Sequence, residues 1–186
     1  MKVLLVDNGT TLLKKLEKLI PGVETVEQAE RFSAAEGNEY DLVILSGSSK
    51  EQLVGNESDF ENEIAFIRTN QKPLIGICFG CELIVSTFGG ELRKLDAPHK
   101  GIREIEIMDP NLFVGKESLK VYESHQWAMS GAPTHFDVLA QSADGPEMIK
   151  HQTLPVYGLQ FHPENFVDTT EGDELFRSIF DKIATA

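Results

Sequence analysis

The chain is short of cysteine, short of basic residues and without a long hydrophobic run, and each shortage removes a class of protein. Only two cysteines occur among 186 residues, Cys78 and Cys81. Standing three positions apart, they cannot close the long loops that staple small secreted scaffolds, so any role they have is local and chemical. No apolar stretch approaches the roughly 18–20 residues that cross a bilayer. The opening Met1-Lys2-Val3-Leu4-Leu5-Val6-Asp7 reaches an acid too early for the apolar region of a signal peptide. A cytoplasmic protein with no membrane partner is expected. Seventeen Lys and Arg stand against 30 Asp and Glu, a formal charge of -13. Such a field repels phosphate backbones, which argues against a nucleic-acid partner. The acidic excess itself reads as a solvated surface.

What is present suits a packed domain. Hydrophobic residues make up 41% and charged residues 25% of the chain, and the length predicts a single domain over 1–186. Runs rich in Val, Ile and Leu alternate with helical patterns, as in chains of βαβ units around a parallel sheet. Lys2–Asp7, Val23–Val26, Asp41–Ser46 and Leu74–Cys78 read as strands. Helical spacing runs from Thr10 to Pro21-Gly22, over Ser58–Thr69, from Cys78 to Gly89-Gly90, and through Leu175, Phe176, Ile179, Phe180 and Ile183. Between Glu91 and Gln160 the strands are shorter and alternating (Ile102–Ile107, Leu119–Tyr122, Phe136–Ala140, Met148–Lys150, Val156–Gln160), which predicts an antiparallel or mixed portion. The expected fold is α/β, a three-layer sandwich with a mostly parallel central sheet. No repeat, low-complexity tract or linker interrupts it.

Two segments carry chemistry. In Gly76-Ile77-Cys78-Phe79-Gly80 a thiol sits where a strand turns into a helix, so unpaired N–H groups and the helix dipole favour its thiolate. A small buried apolar side chain is the other reading of Cys78. Cys78-Phe79-Gly80-Cys81 is also a C-x-x-C at a helix start, the pattern of thiol oxidoreductases. In Gly158-Leu159-Gln160-Phe161-His162-Pro163-Glu164 a strand ends in a histidine and a carboxylate two residues apart. On an extended backbone those side chains share a face, so Glu164 can orient His162 toward a thiol. His99, His135 and His151 lack metal-ligand spacing with a second Cys or His, and no metal site is expected. Trp127 reads as core or pocket lining.

These segments resemble the class I, or triad, glutamine amidotransferase family, with its G-I-C-x-G nucleophile turn and G-x-Q-F-H-P-E strand end. The resemblance runs from Val6-Asp7-Asn8-Gly9 to the last helix. Within the family the separate glutaminase subunit of GMP synthase is the nearest likeness, through Leu45-Ser46-Gly47, Tyr122-Glu123-Ser124-His125, Leu154-Pro155-Val156-Tyr157 and Thr170-Glu171-Gly172. The resemblance implies a flavodoxin-like topology and a Cys78-His162-Glu164 triad that hydrolyses glutamine through a thioester. It implies an oxyanion hole from the backbone of Ser48 and Phe79, and a glutamine pocket of Gly47, Glu82, Ser124, His125, Gln126 and Trp127. It further implies no cofactor, and ammonia passed to an ATP-dependent synthetase of the ATP pyrophosphatase type. Three places depart from the family pattern. Gly80-Cys81-Glu82 replaces Gly-His-Gln, so a charged Glu82 is expected to oppose the thiolate and weaken substrate capture. Ser46-Gly47-Ser48-Ser49 replaces Ser-Gly-Gly-Pro, where the Cβ of Ser48 is expected to restrict the backbone. Ser124-His125-Gln126-Trp127 replaces Ser-His-x-Asp. These departures keep a divergent paralogue open as the alternative, either a stand-alone amidase or γ-glutamyl hydrolase, or a binding module with impaired catalysis.

Overall fold

The computed structural model describes residues 1–111, 115–166 and 169–185. Its centre is a set of short, wholly buried strands: β1 (Val3–Asp7), β3 (Leu42–Leu45), β4 (Leu74–Ile77) and β9 (Val156–Leu159). Strands covered on both faces are near-continuously apolar rather than alternating, as parallel sheets between helices require. With β2 (Val23–Gln28) outside β1, these five run parallel in the order β2-β1-β3-β4-β9. That is the flavodoxin-like order, in which sites form beyond the carboxyl ends of the strands.

The sheet continues antiparallel through β8 (Gly145–His151), β7 (Phe136–Ser142), β5 (Leu92–Ile107) and β6 (Ser118–Met129). Alternating side chains partition the sheet between two cores. Val3 and Leu5 face α1 (Leu13–Leu19) and α5 (Gly172–Ala184), through Leu16, Leu19, Leu175, Phe176 and Ile179. Leu4 and Val6 face α3 (Glu61–Thr69) and α4 (Phe79–Thr87), through Phe66, Ile67, Leu83 and Ile84. Each such fully buried side chain contributes on the order of 1.5–3 kcal/mol. Three layers result, as the sequence predicts.

The differences lie in the antiparallel part and at helix starts. Strands β5 and β6 run to 16 and 12 residues, far beyond the predicted Ile102–Ile107 and Leu119–Tyr122. Their register breaks between Lys94 and His99, where Pro98 lacks a ladder donor and the alternating pattern lapses. A four-residue helix, α2 (Ala34–Gly37), is capped by Ser33 accepting from the Glu36 N–H, too short to show as periodicity. The predicted helix over Ser58–Thr69 divides into a 3-10 turn, Glu57–Phe60, and α3. Among the described residues no helix is long and apolar enough to cross a membrane.

Candidate active site

Cys78 occupies the corner between β4 and α4 with φ 50° and ψ -104°, a region that L-residues with a Cβ enter only under strain. The surroundings enforce it. Its N–H donates to Leu159 O at 2.7 Å, and its carbonyl accepts from Glu82 N at 3.0 Å. The helix behind it packs so tightly on β3 that a Cβ at Gly80 would lie 2.4 Å from Leu45 O. Ser46, just past β3, ties the corner together: its carbonyl accepts from Gly80 N at 3.2 Å and from Asn8 Nδ2 at 3.1 Å, and its hydroxyl accepts from Asn8 N at 2.9 Å. Three strand ends are thereby held to one thiol.

His162 Nδ1 lies 2.8 Å from Glu164 Oε1, with both side chains buried. The expectation that a continuing strand aligns the pair is corrected here. The strand ends at Leu159, and Asn165 N donates to His162 O at 3.1 Å, so Glu164 comes back beneath the imidazole through a turn. Pro163 supplies the fixed φ that such a turn favours at its second position. The backbone of His162 is pinned by donation to Tyr122 O at 2.7 Å.

The imidazole faces Cys78, and the two interact, although Nε2 completes no hydrogen bond of full geometry. Hydrogen bonds of this kind are often loose before substrate binds. Burial pushes the Cys78 thiol up, opposed by His162 and reinforced by Glu82 and Glu164. For His162 burial acts against the imidazolium, but Cys78 and Glu164 outweigh it and hold the pKa well above the ordinary range. Each of the two favours the charged form of the other, so thiol and imidazole titrate as one coupled unit.

A cavity of about 260 Å³ opens beside the thiol, lined by Ser48, Cys78, Phe79, Glu82, Ser124, His125, Gln126 and Trp127 among others. Every residue that the family resemblance implies for the pocket and oxyanion hole lies on this wall except Gly47. That glycine stands behind the imidazole, where a Cβ would meet His162 Cε1 at 3.0 Å and Cys78 Cβ at 3.5 Å. Phe79 is the first helical residue of α4, so its N–H has no intrahelical acceptor. Ser48 departs from expectation: among the described residues only Cys78 and His135 combine a side chain with positive φ, so Ser48 fits without backbone strain. Its hydroxyl caps the loop, accepting from Glu51 N at 2.9 Å and Lys50 N at 3.2 Å.

Glu82 also behaves differently from the charged residue expected. It is 5% exposed, and burial lifts its carboxyl to about 8, with Gln160 opposing. At neutral pH it is mostly a neutral acid, close in shape to the glutamine it replaces. Gln160 itself, fully buried with neither amide atom in a hydrogen bond of full geometry, escaped the sequence reading; it lies just past the end of β9, two residues before His162. A second cavity of about 460 Å³ is lined by Thr10, Ser48, Lys100, Tyr122, Ser124 and His162 among others; Ser48, Ser49 and Ser124 border both. The two cysteines are free. Cys81 lies under β9, where a Cβ at Gly158 would approach its sulfur to 2.7 Å, and burial raises its thiol well above the ordinary range. Disulfide exchange needs an accessible thiolate, which that environment disfavours.

Comparison with known proteins agrees with this geometry. The family model for glutamine amidotransferase class-I matches residues 4–183. The glutamine-hydrolysing GMP synthase subunit of Pyrococcus abyssi is 31% identical over 190 residues, covering 95% of each chain. Its counterpart of the same name in Methanothermobacter thermautotrophicus is 35% identical over 144 residues, covering 74% of this chain and 77% of that one. A crystal structure from Thermoplasma acidophilum superposes with a TM-score of 0.86 at 26% identity, covering 100% of this chain and 94% of the other. A glutamine amidotransferase from Thermotoga maritima shares the fold, with a TM-score of 0.76 at 16% identity over 100% and 99% of the two chains. The matched model spans nearly the whole chain, and the chain belongs to the class-I glutamine amidotransferase family.

Proposed function

We propose that this amidotransferase hydrolyses glutamine at Cys78 and delivers the ammonia to a separate ATP-using synthetase of the ATP pyrophosphatase type, in the synthesis of GMP. The observation that carries the reading is the strained thiol of Cys78 facing the buried His162–Glu164 pair at the wall of a cavity of about 260 Å³. His162 accepts the thiol proton as sulfur attacks the carboxamide carbon. The oxyanion that forms is met by the N–H groups of Ser48 and Phe79, which cost no reorganisation because loop and helix already hold them. His162 returns the proton to the departing nitrogen, leaving a γ-glutamyl thioester and ammonia. Water, deprotonated by His162, then releases glutamate and restores the thiol. Glu164 orients the ring and stabilises its charged form. The acceptor in GMP synthesis is supported by relatives named as glutamine-hydrolysing subunits of GMP synthase, and a cytoplasmic location accords with it.

The test is glutamate release by the chain alone and in the presence of ATP, the nucleotide acceptor and a candidate synthetase of GMP synthase. Weak hydrolysis alone, with stimulation by the partner and nitrogen from amide-labelled glutamine appearing in the nucleotide, is expected. Robust turnover indifferent to the partner would favour a stand-alone amidase. Glutamine binding without turnover in either setting would favour a binding module.

A further inference from the structure

Within the antiparallel part of the sheet lies a second polar cluster, which touches the Cys78 cavity only through His125 and whose carboxylates the amide chemistry does not use. Glu123 and His125 stand two apart on β6 and so point the same way; Glu147 reaches them from β8. One ligand atom from each lies within 4.8 Å of the others, and all three side chains are buried. Each is held from outside the cluster. Glu123 Oε2 pairs with Arg103 Nε at 2.8 Å. Glu147 Oε1 accepts from the Ser142 hydroxyl at 2.6 Å. His125 Nδ1 sits 2.8 Å from Trp127 O.

What remains inside the cluster is mostly lone pairs, with two donors, Arg103 Nε and His99 Nε2, beside Glu123 Oε2 at 2.8 and 3.7 Å. A carbonyl only accepts, so His125 carries a hydrogen on Nδ1, and in the neutral ring Nε2 is then a lone-pair acceptor. It stands 3.3 Å from Glu123 Oε2, a contact that needs either a second ring proton or a cation between the two. Glu123 Oε1 and Glu147 Oε2 are buried with no partner among the described residues. Unpaired acceptors converging in a dry interior call for a positive charge between them, since each otherwise carries its full desolvation cost. Arg103 supplies one positive charge nearby, on Glu123 Oε2, on His99 Nδ1 at 2.8 Å and on Asp144 Oδ2 at 2.5 Å, but it leaves Glu123 Oε1 and Glu147 Oε2 without a hydrogen bond among the described residues. His99 is also unsuitable as a ligand. It accepts Arg103 at Nδ1, so its hydrogen is on Nε2. A single proton on Glu147 relieves one acceptor and leaves the others.

We propose that Glu123, His125 and Glu147 bind a divalent transition-metal ion, zinc by its fit to one imidazole and two carboxylates. The outer partners match the pattern of built metal sites, in which each ligand is oriented by a polar partner on its other side: a hydrogen bond to a backbone carbonyl for the histidine, an ion pair with a guanidinium and a hydrogen bond from a hydroxyl for the carboxylates. The ion pegs β6 to β8 and so fixes the stretch Ser124–Trp127 that walls the cavity beside Cys78. Sequence spacing does not reveal the set, because the third ligand comes from another strand.

The test uses the full chain carrying Cys78→Ala, which removes that thiol as a competing zinc ligand. After chelation and dialysis, zinc is titrated against a chromogenic chelator. One equivalent binding tightly is expected, weakened about 100-fold or more in chains that also carry Glu123→Gln or Glu147→Gln. Zinc-edge X-ray absorption on the Cys78→Ala chain itself should give nitrogen and oxygen neighbours at about 2.0–2.1 Å with imidazole scattering. That measurement stands even if a glutamine variant fails to fold. Failure to bind one equivalent, as a cluster closed by a proton alone would show, affinity unchanged in both variants, or sulfur at about 2.3 Å in the metal's shell would each overturn the proposal.

Discussion

Glu82→Gln isolates the consequence of placing a carboxyl in the wall of the cavity beside Cys78. Glu82 is 5% exposed, and its pKa stands at about 8 against an ordinary 4.5. Between those values the folded protein holds a proton that the unfolded chain has released, so stability falls as pH rises, at up to about 1.4 kcal/mol per pH unit. Over the whole window the loss from this one group is on the order of 5 kcal/mol, complete above the folded value. Glutamine has the same shape and no proton to lose. Urea unfolding of both proteins at stepped pH should therefore show the variant gaining on the native chain by about 3 kcal/mol between about pH 5.5 and 8, with the gap levelling off above that. Catalysis should follow. An ionised Glu82 pushes the Cys78 thiol further up, so native glutamine turnover should fall above about pH 8 while that of Glu82→Gln persists. Parallel stability curves would refute the reasoning, because they would mean that the carboxyl is solvated or already ionised in the folded protein.

The other expectations concern the triad and its packing. Cys78→Ala should abolish glutamate release while leaving the unfolding midpoint nearly unchanged, since no acyl-enzyme can form and only a sulfur is removed; His162→Asn should be almost as severe. Glu164→Gln should be milder, and should lower the pKa of His162 as seen by NMR titration, because Glu164 is one of the groups that raise it. Gly47→Ala should cut kcat by about 10–100-fold with little loss of stability, since the new methyl would press on His162 Cε1 at 3.0 Å and move the imidazole off the thiol. Iodoacetamide followed by peptide mass mapping should label Cys78 in the native protein and Cys81 only after denaturation, because Cys81 is fully buried.

Much of this protein is determined locally. Continuous apolar runs of four or five residues bounded by turn residues suit strands covered on both faces, and the periodic Leu and Ile before Pro21-Gly22 bury themselves only against such a sheet; hence the layers were legible. So was the cysteine corner, because the glycines two positions to either side of Cys78 mark a turn too tight for a Cβ. The tertiary structure decided what depends on environment rather than on residue type. Whether Glu82 is a charge or a neutral acid turns on its burial against Gln160, which no spacing reveals. The closeness of Glu164 to His162 comes from a turn at Pro163, not from strand alternation. The length of β5 and β6 depends on cross-strand pairing that outvotes Pro98 and Gly101. The buried meeting of Glu123, His125 and Glu147 exists only because folding brings β6 and β8 into contact although β7 and β5 stand between them in the sheet. Local sequence sets which conformations a segment can adopt, but protonation and convergence are properties of the space between segments, and only folding creates that space.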